Sequence, residues 1–354
     1  MRDRLKLALG LLLAALLLYF FVRSSDWHTV LSNMESANPW LLAVVFFGQF
    51  PLFYIRAIRW QCFLAPIKKI RISLLVPPMM IGFMISFIFP GRIGEVVRPV
   101  LLGIRENISK TSAFATIVLE RIFDLLAILI LLQVYFLLAP LAGPPAPGSE
   151  KWMATIRVWG WVLLLGSAAV VGLMVLFKMK SEFASRLFHR LAGFLPASLQ
   201  RKAVNFLESF VAGLNVYHDF RTFALIGFYS LALWSGICTS IWICIRAFGI
   251  DIPYLMVYPI QSILMVGVAI PTPGMVGGFH ATMKIGLVNL CGVDPSRAVS
   301  AIIVLHALLI TPVILQGLFH TWREGFSLSE IRKLGKKEKA LEEDSQPQVT
   351  SEQG

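Results

Sequence analysis

An apolar run from Ile72 to Phe89 has nearly the length of a membrane crossing, yet it stops at Pro90-Gly91 and is followed at once by Arg92, Glu95 and Arg98. About 20 apolar residues carry a helix through a hydrocarbon core of roughly 30 Å. The charges after the break therefore either emerge into water or sit at membrane depth, and the fold turns on which. Comparable runs lie at about 5–22, 39–59, 112–139, 155–177, 222–248, 253–270, 275–291 and 297–319. With 15% charged residues and 57% hydrophobic ones, against about a quarter charged in soluble domains, the chain reads as an all-α polytopic membrane protein.

The basic residues decide between the two cases. Arg2, Arg4 and Lys6 precede the first run, Arg56, Arg59, Lys68, Lys69 and Arg71 follow the second, and further groups occupy 178–221 and 323–339. Lys and Arg concentrate in cytoplasmic loops, which places all four groups, and both termini, on the cytoplasmic side. The net charge of +12 is thus membrane anchoring rather than nucleic-acid binding. A full crossing by 72–89 would export Arg98, Arg105 and Lys110 and reverse every later span. The conflict disappears if 72–104 is a re-entrant hairpin entering from the cytoplasm with its tip at Pro90-Gly91, and 253–291 a second one entering from outside. The expectation is about six full spans plus two oppositely oriented hairpins.

The two hairpins share a grammar. Pro39 to Pro90 and Thr222 to Pro273 are both 51 positions, and both tips read P-G-x-x-G: Pro90, Gly91, Gly94 and Pro273, Gly274, Gly277. Halves at about 39–139 and 222–319 then form an inverted repeat, an arrangement in which broken helices meet near the midplane around a substrate site. The segment at about 180–220, with Phe183, Leu187, Phe188 and Leu191, reads as an interfacial amphipathic linker. The tail 323–354 is charged and too short for a domain, and is expected to be cytoplasmic and disordered.

Charges inside a membrane are functional hypotheses by default. Arg92, Glu95 and Arg98 recur at three-residue spacing and are expected on one helix face, where they hold an anionic headgroup or else pair internally to pin the hairpin. His280 and Lys284 follow the second tip as a second headgroup-binding pair, with a hydrogen-bonded His and a snorkelling Lys as the structural alternative. Glu120, Arg121 and Asp124 in "VLERIFDLL" line a cavity or form a structural lock. His306 reads as a packed histidine, and Arg56, Arg59 and Trp60 as an anchor at the inner interface. Cys62, Cys238, Cys244 and Cys291 show no paired spacing. No metal set, cofactor motif or nucleophile–base pair stands out, so the expectation is a transporter with no cofactor, the alternatives being an intramembrane enzyme on a lipid or polyprenyl-phosphate substrate and a non-catalytic membrane partner of an envelope-lipid enzyme.

The segments "PGRIGEVVRPVLL", "LERIFDLL", "RAIRWQCFL" and "PTPGMVGGFHA" together resemble the lysylphosphatidylglycerol synthase transmembrane-region family, also called the flippase-like domain family, over about residues 5–322. The resemblance implies a bacterial or archaeal cytoplasmic-membrane protein that moves a polar lipid between leaflets: an anionic phospholipid, a hopanoid or a glycolipid. It also implies an envelope-lipid biosynthetic enzyme as a possible partner. The chain is expected to be a stand-alone membrane domain without the synthase domain. It departs from many relatives in the second hairpin, where they carry an acidic residue near the position of His280.

Overall fold

The structure is a computed structural model describing residues 12, 14–19, 21–23, 25–89, 92–141, 147–179, 220–270 and 272–325. The basic start at Arg2, Arg4 and Lys6, the tip residues Pro90 and Gly91, the linker at 180–219 and the tail from 326 lie outside the described residues. Within them the chain is helical, without strands. The elements used below are α1 (Trp27–Glu35), α2 (Pro39–Leu64), α3 (Ile72–Ile88), α4 (Gly94–Glu106), α5 (Lys110–Leu138), α6 (Glu150–Met179), α7 (Phe220–Ala247), α8 (Val257–Ala269), α9 (Gly278–Lys284) and α10 (Pro295–Arg323).

Local chemistry sets several boundaries. Asn38 accepts from the amides of Trp40 and Leu41 ahead of Pro39, and Asp294 accepts from Arg297 N ahead of Pro295. A capping side chain satisfies amides that the first turn leaves orphaned, and Pro fits the first helical position. Asn107, left-handed at φ 51°, closes α4. α2, α7, α10 and the first 20 residues of α6 are long and apolar enough to cross a membrane. α5 is as long, at 29 residues, and of the expected first span only part is described. Large apolar side chains point outward, among them Trp40, Phe47, Tyr54, Leu165 and Trp322, as befits a protein whose outer solvent is lipid.

The two expected hairpins are present as packed helix pairs. α3 and α4, with 17 and 13 residues, span roughly 26 and 20 Å at 1.5 Å per residue, and they cross where a Cβ on Gly94 would lie 1.7 Å from Gly82 O. α8 and α9 cross in the same way, a Cβ on Gly278 falling 2.2 Å from Gly267 O. Only hydrogen side chains permit backbones that close. The outgoing arm of the second hairpin differs from the single run at 275–291. It opens with a 3-10 turn at Pro273–Met275, continues as the two-turn α9, and widens into a π-helix at Ile285–Leu290.

The central pair is α2 and α7. Asn38 N donates to Ala247 O at 2.8 Å, Gln49 Nε2 to Ser240 Oγ at 3.3 Å, and Arg59 Nη1 to Ser230 Oγ at 3.1 Å. Numbers rise along α2 as they fall along α7, so the two helices are antiparallel. The surrounding contacts match in pairs: α2 on α3 and α7 on α8, α4 on α5 and α9 on α10, α3 on α10 and α8 on α5. Equivalent helices that run antiparallel relate the two sets by an axis across the bundle, which is an inverted repeat. The tips share one backbone feature. Arg92 and Met275, 183 positions apart like Pro90 and Pro273, both take positive φ, 52° and 58°.

Candidate functional site

The two tips meet. A Cβ on Gly274 would touch Phe87 O at 3.6 Å, and Arg92 Nη2 donates to Val268 O, on the incoming arm of the opposite hairpin, at 2.5 Å. Arg92 lies before α4 with a positive φ of 52°, so Arg92, Glu95 and Arg98 do not share a helix face as their spacing suggested. The positive φ turns the Arg92 side chain back toward the second hairpin, with Glu95 3.7 Å away. Both are about one-third exposed, at 32% and 31%.

Arg98, one turn further, is buried and joins the α5 charges instead. Its Nη1 lies 3.1 Å from Glu120, and its guanidinium stacks 3.7 Å over the Trp60 ring. Trp60 is held in turn by its Nε1–H donating to Thr116 Oγ1 at 3.1 Å. Glu120, the eleventh residue of α5, is fully buried and lies about 15 Å along the helix. Asp124 is one turn deeper. It accepts from Arg59 Nη1 at 2.5 Å and from Trp234 Nε1 at 2.8 Å. Arg121, side chain 37% exposed, reaches Glu120 at 3.3 Å and Asp124 at 3.4 Å, with Glu95 within electrostatic range.

Arg59 corrects the expectation of an interface anchor. It is fully buried and bridges Glu120 at 3.2 Å and Asp124, because the antiparallel α2–α7 pairing carries this end of α2 against Ser230 and onto α5. Arg56 lies within electrostatic range of the same carboxylates, over the Phe83 ring at 4.9 Å. Trp60, expected with Arg59 as an interface anchor, and Trp234, for which the sequence offered no role, complete the wall. The sequence signal was the imbalance in "LERIFDLL" itself: two carboxylates one turn apart at membrane depth need more than one arginine.

The cluster therefore sets Arg56, Arg59, Arg98 and Arg121 against Glu120 and Asp124. Several arginine N–H groups meet no hydrogen-bond acceptor among the described residues, Arg98 Nε and Nη2 and the Nε of Arg56, Arg59 and Arg121, while Glu120 Oε2 and Asp124 Oδ2 are met only by ion pairs with Arg98 and Arg121. Buried donors without partners are costly, and so is an excess of buried like charge. This arrangement can receive anionic oxygens from the side where Arg92, Glu95 and Arg121 are exposed.

The second hairpin holds a different set. His280 is buried, its ring 4.6 Å from that of His306 and 5.0 Å from Phe21, and its Nδ1 lies 3.4 Å from Gly277 N. His306 Nε2 lies 2.9 Å from Gly274 O and pins the turn that Pro273 opens. Lys284 donates to Phe21 O. Gly277 abuts the N-terminal helix, where a Cβ would meet Leu17 at 2.8 Å. The five headgroup candidates thus fall into three places: Arg92 with Glu95 at the tips, Arg98 with Glu120, Arg121 and Asp124 in the cluster, and His280 with Lys284 against the N-terminal segment.

Comparison with known proteins places this geometry in a lineage. A family model described as "Lysylphosphatidylglycerol synthase TM region" matches residues 7–317. "Glycosyltransferase AglD" of Haloferax volcanii is similar at 27% identity over 342 aligned residues, covering 89% of this chain and 54% of that protein. A "UPF0104 membrane protein" of Methanothermobacter thermautotrophicus is similar at 22% identity over 329 residues, covering 85% of this chain and 88% of its own length. The chain thus spans about half of the first relative and most of the second.

Proposed function

We propose that this chain, which belongs to the family of the lysylphosphatidylglycerol synthase TM region, moves a polar lipid with an anionic or phosphate-bearing headgroup between membrane leaflets. The observation that carries the reading is the cluster of four arginines around two carboxylates, with N–H groups left over. Taking an ion out of water costs several kcal/mol even after relaxation, and a negative headgroup offsets that cost here as no lipid tail does.

In this reading the headgroup enters beside Arg92 and Glu95 and is passed by half-exposed Arg121 to Arg98, while its acyl chains stay in the bilayer. The Arg92–Val268 hydrogen bond ties the tips together and acts as the gate. His280 and Lys284 contribute from the second hairpin by gating or coupling. The first hairpin opens to the cytoplasm and the second to the outside of the cytoplasmic membrane, with both termini inside. Residues 1–322 act as one transport domain.

A second reading has one observation in its favour: the match covers only 54% of a relative named as a glycosyltransferase. The same groove would then present a lipid-linked substrate to an envelope-lipid enzyme. The two readings separate in liposomes holding headgroup-labelled phosphatidylglycerol, with outer-leaflet label quenched chemically. Purified protein is expected to make the inner-leaflet label accessible. Arg121→Gln is expected to slow that about tenfold, the worth of one charged hydrogen bond. No acceleration by the wild-type protein defeats the transport reading.

A further inference from the structure

We infer that the arginine cluster selects a dianionic phosphomonoester headgroup over a monoanionic diester or a zwitterion. The inference deepens the headgroup reading above and rests on it for the location of the site. Charge must balance in the buried cluster, where an excess is expensive. Facing one another are Arg56 and Arg59 from α2, Arg98 from α4, and Glu120, Arg121 and Asp124 from α5. Glu95 and Arg92 at the rim compensate each other at 3.7 Å. The remainder is two positive charges, and all four arginines that supply it still have Nε–H groups, together with Arg98 Nη2–H, without a hydrogen-bond acceptor among the described residues.

A phosphomonoester carries close to two negative charges near neutral pH and three acceptor oxygens, and its second pKa is about 6. It neutralises the remainder and fills the open donors. A phosphodiester carries one charge and leaves the cluster positive. An ethanolamine or aminoacyl group adds an ammonium beside carboxylates already engaged, Glu120 and Asp124 by Arg98, Arg59 and Arg121 and Glu95 by Arg92. The walls favour the same ligand. Trp60 and Phe83 cover the faces of Arg98 and Arg56, which leaves the guanidinium edges, the part that matches phosphate oxygens.

The test is thermal stabilisation of the full-length protein in detergent by short-chain lipids. The probes are phosphatidic acid for the monoester, phosphatidylglycerol for the diester and phosphatidylethanolamine for the zwitterion, with inorganic phosphate as a soluble competitor. Phosphatidic acid is expected to bind about tenfold more tightly than phosphatidylglycerol at pH ~8, and to lose that preference by pH ~5 as the ligand takes up its second proton. Titration of the protein would move both lipids together. Arg121→Gln removes one unit of charge and is expected to bring the two lipids close to equal affinity. Equal or tighter binding of phosphatidylglycerol or phosphatidylethanolamine by the wild type overturns the inference, and so does a preference for phosphatidic acid that survives in Arg121→Gln. If inorganic phosphate competes as well as the lipid does, the monoester preference stands and the lipid-transport reading falls. If liposomes show translocation without monoester preference, the transport reading stands and this inference falls.

Discussion

Arg59 and Arg98 are held where water does not reach, so the cost of moving either partner is set by what stays behind. Removing one member of a buried pair strands the other charge, typically at about 3–5 kcal/mol, whereas replacing both by apolar groups is often neutral. Asp124→Leu alone is therefore expected to lower the unfolding temperature of the detergent-solubilised protein strongly. Arg59→Met with Asp124→Leu is expected to recover part of the loss. A double variant no better than the single one would mean that the pairing is not what Asp124 contributes. Arg121→Gln, more than a third exposed and leaving Glu120 and Asp124 still paired with Arg98 and Arg59, is expected to cost clearly less stability than Asp124→Leu, and so reports on ligand more than on fold. The cluster was half legible in the sequence. Glu120, Arg121 and Asp124 declare themselves by lying at i, i+1 and i+4 in an apolar run. Arg59 does not, because a residue five positions from the end of a span reads equally as an interface anchor until the neighbouring helix is known. The Arg92–Glu95–Arg98 spacing misled for a related reason: three-residue periodicity implies a shared face only inside a helix, and Arg92 sits in the turn before it.

The hairpins owe their shape to two backbone crossings. Gly94→Ala and Gly278→Ala each place a methyl group on a backbone oxygen, and overpacking a close contact costs about 1–3 kcal/mol or more. Both are expected to destabilise the protein and reduce transport. Gly48→Ala and Gly227→Ala, with nothing within 4 Å, are expected to leave its melting temperature unchanged or slightly raised. Melting curves of the four variants check this, and equal effects across the set would contradict it. The pattern P-G-x-x-G marks where the breaks fall, and both breaks are readable from apolar runs ended by Pro and Gly. The pattern does not show that the second crossing uses Gly278 rather than Gly277, nor that the outgoing arm widens at Ile285–Leu290. Those features depend on the packing of α8 and of the N-terminal segment, whose contacts no local window contains.

Across the whole molecule, the antiparallel α2–α7 pair ties the two halves together and gives the repeat its inverted sense. In a background with Cys62, Cys238, Cys244 and Cys291 replaced, cysteines at Gln49 and Ser240 are expected to cross-link with a short reagent. Cysteines at Gln49 and Ser230, offset by about 15 Å along the helix, are not. Cross-linking of the second pair would contradict the register. For membrane placement, a cysteine at Ser109, exposed at the end of the first hairpin, is expected to label only from the cytoplasm and one at Asp251 only from the other side. Labelling of both from one side would remove the opposed hairpins.

The claim on which all of this converges is that a lipid headgroup contacts the arginine cluster between α2, α4 and α5. The most direct measurement uses a phospholipid with a photoreactive headgroup, cross-linked to the protein in liposomes and mapped by peptide mass spectrometry. The account predicts adducts within 94–106 and 110–138 that unlabelled anionic lipid suppresses and that fall away in Arg121→Gln. Adducts confined to lipid-facing surfaces such as 150–169, indifferent to competitor and to the substitution, would contradict it.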